Sequence, residues 1–308
     1  MLSAFIENLN ADSTRVYSPK PYFLLCGGPV SSIADPHPIS LRDAFLRAEA
    51  GVAIKNAEIV QIEEIQEYFE KDCPYKDLVE FERDIAQISD MVLLFSESPG
   101  SFTELGSFSS YREIHEKLLV VVQSKYLTKS SFILKGPVTF LRRKYKNSVF
   151  SITNGQVGIK GPSFSSVKPE VLLSVLKSPI NERLLESKGR TTFQKNRFSH
   201  RCKLYIAFLK EFSVLKDDEL KVLFDAFGVK LSDALLDRIA FCCKCVRWSG
   251  ASQAGFDRVH FALNGNEAAK FELNGEYADK LRRRVEIRQH WIQTDPARID
   301  AHAEAVGL

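Results

Sequence analysis

The feature that most constrains this chain is an alternation. Short, wholly apolar runs take turns with stretches of helical periodicity. Tyr22-Phe-Leu-Leu-Cys26, Met91-Val-Leu-Leu-Phe95 after Asp90, and Leu118-Leu-Val-Val-Val122 have the length of strands and are apolar enough to be covered on both faces. Residues 57–62 read as a further strand. Ser40-Leu-Arg-Asp-Ala-Phe-Leu-Arg47 opens a helix, with Ser40 as N-cap and Asp43 three residues on. Residues 76–88 carry Leu78, Phe81, Ile85 and Ile88 at helical spacing, and another helix follows around residues 102–116. This pitch predicts an α/β fold with a doubly wound, mostly parallel sheet. Ligands of such sheets bind beyond the carboxyl ends of the strands, where the glycine-bearing loops 26–30 and 96–101 fall.

Composition removes several classes. With 308 residues there is room for two domains. A hydrophobic share of 44% and a charged share of 26% exclude general disorder. No apolar stretch is long enough for a membrane span, and the first residues lack the apolar core of a secretory signal. Six cysteines, three of them crowded at Cys242, Cys243 and Cys245, do not make a disulfide framework, so a reducing cytoplasm is expected. The net charge of +3 hides an asymmetry. Residues 1–116 hold 9 Lys and Arg against 20 Asp and Glu, whereas residues 117–169 hold 10 against none. A long basic block beside an acidic half predicts a site that holds phosphate.

Farther along, residues 151–169 read as loops with a short hairpin, 170–178 as a helix and 187–192 as a linker. Residues 200–213 and 217–227 are apolar-periodic, and a third helix starts at Leu231 behind Gly228. Residues 245–249 and 256–263 flank a hairpin turn, and a charged helix over 276–292 closes the chain. Three helices, a two-stranded wing and a final helix follow a winged-helix order. The same order serves DNA contact or dimerisation. A domain over 1–186 and a winged-helix-like α+β domain over 187–308 are therefore expected.

The chemistry concentrates in Phe95-Ser-Glu-Ser-Pro-Gly-Ser-Phe-Thr-Glu-Leu-Gly106. A buried strand ends, a Pro-Gly turn follows, and a helix begins with Ser101 as its expected cap and Glu104 in its first turn. Glu104 there is either a partner for the helix dipole or a carboxylate nucleophile aimed at an anomeric carbon. Asp90 precedes the strand and Glu97 follows it. Lys125, Lys129, Lys135, Arg142 and Arg143 follow the fourth strand, as a phosphate rim, a nucleic-acid contact or a solvated surface. His37 and His115 are either general acids or structural residues. The clustered cysteines read as buried packing, not as a zinc site, and no metal is expected. Arg282, Arg283, Arg284 and Arg288 suggest a basic helix face.

The residues Leu25-Cys-Gly-Gly-Pro-Val30, Ser89-Asp90 and Ser98-Pro-Gly-Ser-Phe-Thr-Glu-Leu-Gly106 resemble the nucleoside 2-deoxyribosyltransferases. They are more similar still to the deoxyribosyltransferase-like effectors encoded beside retron reverse transcriptases, as are residues 125–132, Gly136-Pro-Val138 and Leu141-Arg-Arg143. The resemblance covers about residues 20–145. It implies Glu104 as nucleophile and Asp90 as a residue that orients sugar or nucleophile, with Cys26, Gly27, Gly28, Ser98, Gly100 and Ser101 lining the substrate pocket and no cofactor. It also implies an antiphage toxin restrained by a reverse transcriptase and its multicopy single-stranded DNA, with a nucleotide-type substrate and a possible homo-oligomer. Two departures leave the choice of base open: Ser98 stands where the family has an Asp, and Leu25-Cys26 where it has a hydroxylated aromatic. Glu97 is then a candidate acid. Two other readings remain, a nucleotide-sensing adaptor that binds nucleic acid without catalysis, and a nucleoside-salvage transferase.

Overall fold

The computed structural model describes residues 1–32, 34–48, 58–69, 73–128, 130–186, 189–263 and 266–307, with backbone only for 66–69. Its strands are β1 (Leu9–Val16), β2 (Tyr22–Cys26), β3 (Glu58–Val60), β4 (Met91–Ser96), β5 (Leu118–Gln123), β6 (Val149–Ile152), β7 (Thr191–Thr192), β8 (Val214–Lys216), β9 (Ser249–Ala254), β10 (Asp257–Ala262) and β11 (Ala269–Leu273). The chain divides into two compact units. One comprises Pro21–Gln66 and Ile85–Lys188; the other comprises Met1–Lys20, Glu67–Asp84 and Gly189–Leu308. The change of unit near residue 188 lies where the sequence suggests a linker, but two N-terminal segments group with the C-terminal residues. Apolar periodicity marks that a helix buries a face and is silent about which partner covers it.

The first unit is built on a five-stranded sheet in the order β3-β2-β4-β5-β6. Every pairing in it is parallel. The three inner strands, β2, β4 and β5, are buried throughout, as their unbroken apolar runs require. Phe23, Leu25, Leu93, Phe95, Val121 and Ile152 point to one face, where Leu41 and Phe45 of helix Leu41–Arg47 and Leu172, Leu176 and Ile180 of helix Pro169–Leu185 cover them. Side chains alternate along a strand and register partners share a face. Because Cys26 pairs with Leu94, Cys26 and Ser96 belong to the opposite face. Helix Pro99–Ser110 packs against β4 and β5 and buries Leu105 and Phe108. Residues 151–169 hold the end of β6 and the short helix Asn154–Val157, not the expected hairpin.

In the second unit, helices Phe198–Phe212, Asp217–Asp225 and Asp233–Cys245 lead into a three-stranded antiparallel sheet ordered β8-β10-β9. Strand β8 is too short to show in the sequence pattern, yet it turns the expected hairpin into a sheet. A second sheet, β11-β1-β7, was likewise invisible to periodicity. The closing charged segment forms helix Lys280–Thr294, after a short 3-10 turn at Gly275–Ala278. The expected basic face on this helix is largely spent on ion pairs. Arg283 is buried against Glu211, Arg284 pairs with Glu211 and Glu267, and Arg282 pairs with Glu276 and Glu286. Cys202, Cys242, Cys243 and Cys245 are buried thiols outside any disulfide, and burial pushes the Cys245 thiol up to about 12. Among the described residues no group of three or more His, Cys, Asp or Glu could hold a metal ion. None of the described helices is long and apolar enough to cross a membrane.

Candidate active site

Three chain reversals meet at the carboxyl edge of the five-stranded sheet, after β2, β4 and β5. At the end of β2 the chain passes Gly27 with φ +154°. A Cβ there would lie 2.8 Å from Phe95 Cβ and 3.1 Å from Arg42 Cβ, so only glycine lets the strand end pack this closely. At Gly28 a Cβ would meet Ser40 Cβ at 2.8 Å and Glu97 Oε1 at 2.9 Å.

Glu97 occupies the space these glycines create. Its carboxylate accepts hydrogen bonds from the backbone N–H of Gly28 (3.1 Å), Leu41 (2.7 Å) and Arg42 (3.1 Å). Burial raises its pKa above the ordinary value, and the three N–H donors and Arg42 oppose that rise. With both oxygens engaged, Glu97 ties the β2 loop to the β4 loop and is poorly placed to donate a proton to a leaving base. The glycine loop thus turns its Gly28 N–H to an internal carboxylate.

The loop after β4 differs from expectation by one register. Helix Pro99–Ser110 starts three residues earlier than the sequence suggests, and its N-cap is Ser98. Ser98 and Ser101 form a reciprocal capping box: Ser101 N–H donates to Ser98 Oγ (3.2 Å), and Ser98 N–H donates to Ser101 Oγ (2.8 Å). Ser101 Oγ also accepts from Glu97 N–H at 2.9 Å, so Ser101 stitches the loop and not the first turn alone. Pro99 takes the first helical position, where its missing N–H costs nothing. Glu104 therefore sits in the second turn, beyond the strongest part of the helix dipole. The expected single helix over 102–116 is two, Pro99–Ser110 and Arg112–His115, separated by extended Tyr111. Gly100 is exposed, with open space where a Cβ would stand.

Glu104 is half-buried, and its Oε2 is fully screened from water. Its helix covers the sheet face that carries Cys26 and Ser96. Two side-chain atoms at this edge are buried and find no hydrogen-bond partner among the described residues, Ser96 Oγ at the end of β4 and Gln123 Oε1 at the end of β5. A third is Arg42 Nε. Arg42 interacts electrostatically with Glu104 and Cys26. Buried polar groups are nearly always paired in folded proteins, so these exceptions, Ser96 on the face of Cys26 and Gln123 with its register partner Ile152 on the other, mark this sheet edge as a candidate place for something else to bind. Arg42, Ser96 and Gln123 escaped the sequence reading because each looks like an ordinary polar residue at the end of an element.

The other anticipated residues lie elsewhere. Asp90 is at the amino end of β4, where its carboxylate accepts from Tyr22 N–H at 3.2 Å. Six strand residues, about 20 Å at ~3.3 Å each, separate that end from the loop that leads to Glu104. Glu104 stands on the helix that follows that loop and packs back against β4. Of the basic block, Lys125 follows β5 at the carboxyl edge, with its ammonium 5.0 Å from the Tyr126 ring centroid; that ring meets Phe102 edge-on at 5.7 Å. Arg142 and Arg143 are exposed in the last turn of helix Thr139–Lys144, which runs toward the amino end of β6. Lys144 of the same turn reaches His115 Nε2 at 3.5 Å. The block therefore does not line a single rim. Lys135 is exposed within a π-helical turn, and Lys129 lies outside the described residues. His115 is buried, bonded through Nδ1 to Tyr145 Oη at 2.8 Å, and takes the structural role. His37 is an exposed loop residue.

Comparison with known proteins finds partial relatives and a family. Two Escherichia coli proteins match in part, both named "putative ribosyltransferase/DNA-binding protein". That of retron Ec86 is 40% identical over 80 residues, 26% of each chain. That of retron Ec73 is 32% identical over 72 residues, 23% of each. The alignments thus span about a quarter of the length of these relatives. A family model described as STM3845 retron effector protein matches residues 38–251, well over half of the chain and inclusive of Arg42, Glu97 and Glu104. The chain belongs to the STM3845 retron effector family.

Proposed function

We propose that this retron effector cleaves, or transfers across, the N-glycosidic bond of a nucleotide-type substrate, with Glu104 as nucleophile. A Glu104 carboxylate oxygen forms an ester bond to C1′ as the C1′–N bond breaks. The bonding pair leaves with the base, which takes up a proton, and water or another acceptor then attacks C1′ and frees the carboxylate. The observation that carries the reading is the screened Glu104 Oε2 at a sheet edge where Ser96 Oγ, Gln123 Oε1 and Arg42 Nε are buried without partners. The resemblance to deoxyribosyltransferases and the ribosyltransferase part of both relatives' names support it. Lys125 is the basic residue suited to a substrate phosphate. Asp90 keeps a structural part, by holding the start of β4 against β2.

The second unit is read as a winged-helix module. The order helix, strand, helix, helix and hairpin supports this, as does the DNA-binding part of the relatives' names. Phe256, at the tip of the β9–β10 turn, stands fully in solvent. Its partners would be the reverse transcriptase and multicopy single-stranded DNA of the same retron, which hold the effector inactive until phage infection disturbs them.

The test expresses the chain without its neighbours and measures the small-molecule pool of the cells by mass spectrometry. Free base or nicotinamide should accumulate with wild type and vanish with Glu104→Gln, a loss of roughly 10³-fold or more, as for removal of other enzymic nucleophiles. Base release that survives Glu104→Gln unchanged refutes the assignment. Purified protein that instead turns over free deoxynucleosides without toxicity points to salvage.

A further inference from the structure

The basic residues that the candidate site leaves unused gather on one helical run of the first unit. Residues 131–146 hold Lys135, Arg142, Arg143, Lys144 and Lys146 and no Asp or Glu. From residue 132 to residue 144 the chain is helical without a break, through a π-turn at Leu134–Val138 into helix Thr139–Lys144. Pro137 has no N–H to give to the turn before it, and the helix widens there. Pro137, Val138 and Leu141 are buried. Phe132, Lys135, Thr139 and then Arg142 and Arg143 are exposed at steps of three and four residues, so they share the outward face.

Two features separate this face from an ordinary solvated surface. The first is that its cations hold no acid. Among the described residues no carboxylate pairs with Lys135, Arg142, Arg143 or Lys146. Arginines of the second unit behave otherwise, for Arg238, Arg258, Arg284 and Arg298 each hold a carboxylate. Lys144 folds back over the Phe140 and Tyr145 rings, 5.3 and 5.7 Å from their centroids, and leaves the outward charge to its neighbours. The second feature is Phe132, which is 84% exposed. Its ring lies beside Gly136, where a Cβ would stand 3.4 Å from it, so the missing side chain makes room for the ring on the helix surface. A large ring left in water gains the fold little.

Guanidinium forks match phosphate oxygens, and an exposed ring matches the face of an unpaired base. From Phe132 to Arg143 the run is ~17 Å long at ~1.5 Å per residue. That is the reach of about five stacked nucleotides at ~3.4 Å each. We propose that this face binds single-stranded nucleic acid, with phosphates on Lys135, Arg142 and Arg143 and a base stacked on Phe132. The contact belongs to the first unit and is additional to any made by the winged-helix module. It does not depend on the chemistry read for Glu104.

The experiment titrates the full chain with a fluorescent oligothymidylate between ~50 and ~200 mM salt. The double variant Arg142→Gln/Arg143→Gln should flatten the log–log salt slope by about 1.4, at ~0.7 for each phosphate contact to a single strand. Phe132→Ala should weaken binding roughly tenfold and leave the slope as it was, the signature of one lost stacking contact. All three substitutions are at exposed positions, and base release by the variants should equal that of wild type. An unchanged slope in the double variant overturns the proposal. Full affinity in Phe132→Ala, with a duplex bound as well as the single strand, overturns the assignment to single strands. Binding to phosphatidylserine vesicles or to polyglutamate in preference to the oligonucleotide overturns it in favour of a membrane or an acidic protein surface. A chain that releases no base yet shows both expected changes would sink the glycosyl-transfer reading and leave this contact standing.

Discussion

The two edges of the five-stranded sheet are made from the same strands and treat their polar groups in opposite ways. At the amino edge buried side chains are spent on internal partners. Arg183 is buried and donates to the carbonyls of Leu118, His115 and Glu116 at 3.1, 3.1 and 2.7 Å. Lys117 donates to the carbonyls of Gln87 and Ser89, Asp90 holds Tyr22 N–H, and His115 holds Tyr145. At the carboxyl edge, Ser96 Oγ, Gln123 Oε1 and Arg42 Nε are buried and find no hydrogen-bond partner among the described residues. The first edge is arranged for stability, and the second gives some up. The difference marks the carboxyl edge as the candidate site without reference to any motif, where the general rule for parallel sheets also looks for one.

The comparison can be broken from either side. The largest effect is expected at the amino edge. Arg183→Ala removes one side chain that satisfies three carbonyls and pairs with Glu186, and should cost about 3 kcal/mol in denaturant unfolding. Activity at a temperature where the variant remains folded should persist. A loss of turnover greater than the loss of folded protein would mean that the amino edge is not merely structural.

At the carboxyl edge the sign should reverse. Ser96→Ala deletes a buried hydroxyl that has no partner, so the protein should gain about 1 kcal/mol or stay level, while substrate binding weakens roughly tenfold. A destabilised variant with unchanged KM would show that the hydroxyl serves the fold.

The smallest effect concerns pH. Burial, then Lys144, lowers the His115 pKa below its ordinary value, so the folded protein favours the neutral ring. That contribution is fully present above the unfolded-state pKa, near 6.5, and is lost as pH falls through the depressed folded value. The melting temperature of wild type should drop between pH 7.5 and 5.5 more steeply than that of His115→Asn. Equal slopes would refute the assignment.

Much of the first unit was legible because its strands are buried on both faces. An unbroken apolar run such as Leu118–Val122 has little choice but to be a central strand, and the loops that follow such strands are then candidate sites. Helix starts were legible only to within a turn. Ser98 and Ser101 can each cap a helix, and the pair forms one capping box, so the sequence could not say which stands outside. The surroundings of Asp90 were legible only in part, for another reason: the whole length of β4 stands between it and the loop that leads to Glu104, and sequence spacing does not show how far the following helix turns back.

The sequence by itself determined the central parallel strands, the glycine turn and the presence of Glu104 on the helix after β4, since these rest on local patterns of burial and backbone freedom. Only the tertiary structure decided that Glu97 fills the glycine loop, that buried Arg42 pairs with Glu63 while its backbone N–H holds Glu97, and that the basic block is divided between two edges. Those facts depend on which side chains meet across distant segments, and hydrogen bonds and charges act through space with no trace in the order of residues.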